Sequence, residues 1–212
     1  MIKVQRFTFN PFQENTYVLW NNENEAAIID PGCYFPQEEE ALQNFISEAG
    51  LTPVMLLNTH CHLDHVFGNR WVYKTFGLEL RLHRLEEKVL QYAPEAGKMY
   101  GVNFSNYEGP LHFLEEGETV LLGSEQLDVI LAPGHSPGSI CFHHKNQPIL
   151  IAGDVLFYES IGRTDLPGGN HEQLISSIKM KLFNLPGQTV VHCGHGPSTT
   201  IGHEKENNPF LY

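Results

Sequence analysis

One pattern recurs four times along the chain and limits what it can fold into: an apolar run ends in a short turn that delivers a metal-binding residue. Val54-Met55-Leu56-Leu57 leads into Asn58-Thr59-His60, and Val129-Ile130-Leu131 into Ala132-Pro133-Gly134-His135. Ile149-Leu150-Ile151 leads into Ala152-Gly153-Asp154, and Val190-Val191 into His192-Cys193-Gly194-His195. Short apolar runs bounded by Gly and Pro read as buried strands. If their ends meet on one edge of a sheet sandwich, residues far apart in sequence gather into one site.

The rest of the chain fits strands mixed with helices. Thr16–Trp20 and Ala26–Asp30, split by Asn21-Asn22-Glu23-Asn24, read as a hairpin. Helical spacing is expected over Pro36–Ala49, stopped by Gly50, and over Asp64–Phe76, stopped by Gly77. Between Arg84 and Gly117 a helix around Leu85–Tyr92 precedes a loop rich in Gly, Asn and aromatics, where Tyr100, Phe104 or Tyr107 are candidates to line a pocket. Strands follow at Leu127–Leu131, Ser139–His143, Ile149–Ala152 and Thr189–Val191, with a helix over His171–Phe183 before the last. Helices packed over sheets define an α/β class, and 212 residues suit a single domain, 1–212.

Composition excludes several functions. With 41% hydrophobic residues the chain can bury a substantial core. A formal net charge of −12 repels phosphate backbones and argues against nucleic acid. No apolar run reaches the roughly 20 residues a membrane helix needs, and Met1-Ile2-Lys3-Val4-Gln5-Arg6 lacks a secretory apolar region. Cys33, Cys61, Cys141 and Cys193 show no CxxC spacing, so free thiols in the cytoplasm are expected.

His60-Cys61-His62-Leu63-Asp64-His65 places four potential ligands in six residues. Imidazole suits zinc, iron or manganese, and the carboxylate adds charge that helps hold a second dication. In an extended loop His60 and His62 point the same way, with Cys61 out of phase as a small packed side chain. Asp64 and His65 fall at the turn into the next helix and face a second position, where Asp64 can also cap that helix.

Thr59-His60-Cys61-His62-Leu63-Asp64-His65 resembles the signature of the metallo-β-lactamase superfamily. Pro133-Gly134-His135-Ser136-Pro137-Gly138, Gly153-Asp154 and Gly194-His195-Gly196-Pro197 follow in that superfamily's order. The resemblance implies a four-layer αββα sandwich with two divalent metal ions at one edge, zinc by default. His60, His62 and His135 would hold the first ion, Asp64, His65 and His195 the second, and Asp154 both. Asp30, at another strand end, would either orient a ligand or be a simple turn aspartate. The remaining histidines (His83, His112, His143, His144, His171, His192 and His203) match no ligand position and are expected at the surface or just behind the site.

Two adjacent dications generate hydroxide from water at neutral pH without a protein base, so hydrolysis is the expected reaction, with Asp64 orienting the nucleophile. Asn10–Tyr17, Gly162–Gly169 and Asn208–Leu211 look like the short bacterial members of the glyoxalase II group, which cleaves glutathione thioesters. The expected substrate is therefore a small thioester or ester. Gly196-Pro197 stands where that group usually carries an acidic residue and a tyrosine that contacts glutathione. Arg163 would hold an anionic part of the substrate or pair with Asp165. The competing readings are a mononuclear-iron persulfide dioxygenase of the same superfamily and a non-catalytic metal-binding protein.

Overall fold

The structure is a computed structural model and describes residues 1–212. Its plan follows from strands that are apolar on both faces. In β2 (Glu14–Trp20), β3 (Glu25–Ile29) and β4 (Thr52–Leu57), Val18, Ile28 and Leu56 face outward while Leu19, Ile29 and Leu57 face inward. Side chains alternate with period two, so a continuous apolar run needs cover on both sides. These strands form a mixed sheet with β1 (Lys3–Phe9), β5 (Leu80–His83) and β6 (Leu111–Leu114), in the order β1-β2-β3-β4-β5-β6. The outer face is covered by α1 (Pro36–Glu48), α2 (Leu63–Val66), α3 (Asn69–Phe76) and α4 (Glu87–Met99), through Leu42, Ile46, Val66, Val72 and Leu90.

The second sheet is built the same way. It contains β7 (Thr119–Leu122), β8 (Glu125–Leu131), β9 (Ile140–His144) and β10 (Ile149–Gly153). A small hairpin, β11 (Leu156–Phe157) and β12 (Ser160–Ile161), then intervenes, and α5 (His171–Met180) precedes β13 (Val190–Cys193), β14 (Thr199–Thr200) and α6 (Ile201–Asn207). The sheet order is β14-β13-β10-β9-β8-β7. Phe142 and Ile151 point at the first sheet, whereas Cys141, Leu150 and Val191 point out to Leu174, Ile178 and Ile201. Helices, sheet, sheet, helices: this is the αββα sandwich. Phe142 is fully buried between the sheets, so Phe142→Ala is expected to cost about 3–5 kcal/mol, read as a lower urea midpoint.

Several elements differ from their sequence reading. The helix expected over Asp64–Phe76 is two, broken at Phe67-Gly68. Gly68 donates its N–H to the Pro31 carbonyl at 2.7 Å, and a Cβ there would meet the Cys33 sulfur at 2.3 Å. That close approach holds the second half against the β3 exit loop. Asp64 does not cap the first half; His62 occupies the N-cap, and Asp64 lies in the first turn with its carboxylate turned to His195. The helix expected to end near Tyr92 continues through Pro94 to Met99. Proline cannot donate to the carbonyl four residues back, and the Asn106 side chain donates to that Leu90 carbonyl instead, at 2.6 Å.

Candidate metal centre

Every motif noted at a strand end comes out on the same edge. β3 delivers Asp30, β4 delivers His60 and His62, β8 leads to His135, β10 to Asp154 and β13 to His195. The two sheets are tied together there by Ile140 N–H donating to the Thr59 carbonyl at 2.8 Å and Asn15 N–H donating to the Gly194 carbonyl at 2.7 Å.

His60, His62 and His135 converge through one nitrogen each. His135 Nε2 lies 2.8 Å from His62 Nδ1 and 3.2 Å from His60 Nε2. His135 Nδ1 donates to the Arg163 carbonyl at 2.7 Å, which leaves the Nε2 lone pair facing the others. Burial first, then the crowding of the other imidazoles, pushes His60 well below the usual histidine range and His62 down to about 3; burial also lowers His135. Three neutral imidazoles aimed at one point suit a cation, since tetrahedral nitrogen ligands about 2.0–2.1 Å from a metal sit roughly 3.3 Å apart.

Asp64, His65 and His195 make a second convergence. His195 Nε2 is 3.1 Å from Asp64 Oδ2, and His65 Nε2 is 3.8 Å from the same oxygen. Asp154 stands between the groups: its Oδ2 is 3.5 Å from both His135 Nε2 and His195 Nε2, and its Oδ1 is 3.4 Å from His65 Nε2. Burial works against the Asp154 charge, but His65 and its neighbours outweigh it and hold the carboxyl well below its usual range. Burial likewise opposes a charged His65, and Asp154 and Asp64 outweigh it, so the ring binds a proton well above the normal range. That affinity marks a position that demands positive charge.

Two atoms here are buried and lack any hydrogen-bond partner, His65 Nε2 and Asp154 Oδ1. A buried orphan is costly, and a cation satisfies both. The donor atoms of each three-residue group lie within 4.8 Å of one another. Gly194 makes room: a Cβ there would fall 2.1 Å from Asp154 Oδ1. The residues present fit a pair of cations.

Asp30 is more than a turn aspartate. It is buried, in the left-handed region at φ +49°, and takes hydrogen bonds from Thr59 N–H at 2.7 Å and Thr59 Oγ1 at 2.5 Å. Its Oδ2 is 3.2 Å from His65 Nδ1, fixing which ring nitrogen faces Asp154. Arg163 lines a cavity that opens on His62, Asp64, His135, Asp154 and His195, but Nε and Nη2 both donate to Asp165 at 2.7 Å, so the ion pair is formed. Of the three aromatic candidates only Tyr100 lines that cavity; the Tyr107 hydroxyl is bound to Leu80 N–H and the Pro110 carbonyl. His83, His143 and His144 are buried rather than at the surface; His83 lies beside Gly138 in the loop of His135, and His144 against Glu125 at 2.7 Å.

Two carboxylates escaped the sequence reading. Glu86 is fully buried and accepts from Cys61 N–H at 2.8 Å, Ser136 Oγ at 2.5 Å and Gly138 N–H at 2.7 Å, clamping the loop of His60 and His62 to the loop of His135. Glu14, fully buried, accepts from Thr16 Oγ1 at 2.9 Å and lies 3.8 Å from His65 Nδ1. No local spacing announces either, because the groups that hold Glu86 and the His65 ring beside Glu14 are distant in sequence.

The sequence pattern of the Metallo-beta-lactamase superfamily matches residues 9–195. The chain belongs to the metallo-β-lactamase superfamily. It is 41% identical over 202 residues to "Hydroxyacylglutathione hydrolase GloC" of Haemophilus influenzae, covering 94% of this chain and 93% of GloC. Among solved structures, the BLEG-1 B3 metallo-beta-lactamase superposes with a TM-score of 0.91 at 39% identity, covering 99% of each chain. TTHA1623 in a di-iron-bound form superposes at 0.89 with 38% identity, covering 98% of this chain and 100% of the other. This likeness sets the chain among the metallohydrolases of the metallo-β-lactamase superfamily, and no helix is long and apolar enough to cross a membrane.

Proposed function

We propose that this metallohydrolase cleaves a thioester, with two divalent cations held by His60, His62 and His135 on one side and Asp64, His65 and His195 on the other, sharing Asp154. The observation that carries the reading is the placement of Asp154, within 3.5 Å of His135, His195 and His65 and with one oxygen otherwise unpartnered. Zinc is the default cation for this donor set; iron is the metal of one similar structure. Bound there, such cations would supply a water deprotonated at neutral pH and a Lewis acid for the acyl oxygen.

The chain's own groups do the rest. Asp64, held ionised against burial by His65 and His195, accepts a hydrogen bond from the attacking water and aims it at the acyl carbon. Asp30 and the Arg163 carbonyl fix the His65 and His135 rings. The water oxygen joins the acyl carbon, the C–S bond breaks, and the thiol leaves with a proton while the carboxylate remains. The cavity of about 790 Å³ above these residues has the size of a small-molecule site. Residues 1–212 act as one domain in this reading, and four buried, unpaired cysteines suit the reducing cytoplasm.

Thiol release from S-lactoylglutathione, the kind of substrate named by GloC, tests the reaction. Turnover by metal-loaded protein that a chelator abolishes is expected. No thiol release from any thioester, with oxygen uptake on a persulfide, would replace the hydrolase by the dioxygenase. Asp30→Asn is expected to weaken metal binding about 10- to 100-fold, measured against a competing chelator, with a smaller change in kcat once metal is saturating.

A further inference from the structure

Helix α4 is apolar on two adjacent faces. Leu90, Ala93 and Gly97, spaced at three and four residues, pack inward. Val89, Tyr92, Ala96 and Met99, spaced the same way, line the cavity instead, together with Leu85 from the short 3-10 turn just before the helix. An apolar helix face normally finds cover, yet Met99 is 76% and Leu85 53% exposed. The wall is held in place: the Tyr92 hydroxyl reaches the Met99 sulfur at 3.6 Å, and Tyr100 sits edge-on to Phe12 at 5.5 Å.

This wall belongs to the same cavity that opens on His62, Asp64, His135, Asp154 and His195, and Phe157, Ile161, Leu166 and Pro167 form further apolar lining. A concave apolar slot beside the reacting centre fits a flexible chain better than the face of another protein. Polar anchors are scarce. Arg163 is occupied by Asp165, which leaves Lys88 as the other cation on the wall. A peptide thiol such as glutathione, with two carboxylates and an ammonium group, would find few partners for its charges.

We propose that the substrate is a thioester bearing an extended apolar chain, which lies along α4 and the turn before it, on Leu85, Val89, Tyr92, Ala96 and Met99. This rests on the thioester reading above and names its substrate class. Apolar contact then supplies most of the discrimination, at about tenfold for each two methylenes fully buried.

The test uses metal-loaded protein and two series: acetyl, butanoyl and hexanoyl thioesters of N-acetylcysteamine, and acetyl thioesters of methyl, butyl and hexyl thiols. In at least one series kcat/KM is expected to rise about 10- to 100-fold from shortest to longest, and the responding series shows whether the acyl or the thiol part carries the chain. The double substitution Leu85→Gln with Met99→Gln, at exposed positions, is expected to reduce that ratio about threefold or more. Calorimetric binding of S-hexyl- against S-methyl-N-acetylcysteamine, which need not turn over, gives an independent reading. Tighter binding of the hexyl thioether supports the slot even if no thioester is hydrolysed, an outcome that removes the thioesterase reading alone. Equal turnover across both series with equal thioether binding overturns the proposal and leaves the thioesterase standing. Self-association in sedimentation that the double substitution abolishes overturns it in favour of a second copy on α4.

Discussion

Asp154→Ala is expected to abolish turnover and release metal in one step. Asp154 reaches both halves of the centre with its carboxylate oxygens, Oδ2 3.5 Å from His135 and from His195 and Oδ1 3.4 Å from His65. Without it, the imidazoles near His135 and the group around Asp64 lose the negative charge they share, and the proposed pair of cations would lose the ligand that neutralises their repulsion. A fall in kcat/KM of at least about a thousandfold, roughly 4 kcal/mol of transition-state stabilisation, should accompany metal loss by elemental analysis. The main chain at this position is already fixed by the sheet, since Gly194 N–H donates to the Gly153 carbonyl at 2.8 Å, so the fold should survive. Retained metal and near-normal turnover would remove Asp154 from the centre.

Stripping the metal is expected to lower thermal stability sharply. Without cations the folded chain keeps His65 Nε2 and Asp154 Oδ1 buried and unpartnered, with His62 Nδ1 and His60 Nε2 pressed against His135 Nε2 at 2.8 and 3.2 Å. A ligand present at a thousand times its Kd stabilises the native state by about 4 kcal/mol. For a chain of this length that corresponds to a fall in Tm of about 8–16 °C on chelation, reversed by adding zinc or iron. The loops that carry His62 and His135 should loosen most, read as faster amide exchange there, while Phe142 and the inter-sheet core stay protected. An unchanged Tm would mean that the cluster satisfies itself without a cation.

The motifs that converge at the candidate centre are legible because each follows a strand whose apolar run is itself readable: Leu56-Leu57 before His60, Ile151 before Asp154, Val191 before His195. The same alternation that separates Leu56 from Leu57 divides the core into its layers. Strands of four residues, such as β5 and β6, carry too little periodicity to stand out, and β1 reads as mixed because only Phe9 of its residues is buried. The α2–α3 break and the passage of α4 through Pro94 depend on distant partners, Pro31 and Asn106. Glu86 and Glu14 are invisible for the same reason: a buried carboxylate is explained by the groups that satisfy it, and Ser136 lies far along the chain from Glu86. Arg163 has two possible fates in sequence, and the ion pair with the nearby Asp165 is the one formed here.

Metal content per chain, measured on protein purified without added metal, bears most directly on the account. About two divalent cations per chain, falling to one or fewer in His195→Ala, is the expected result. A single tightly held iron, unchanged by His195→Ala and leaving the group of Asp64, His65 and His195 without metal, would contradict it.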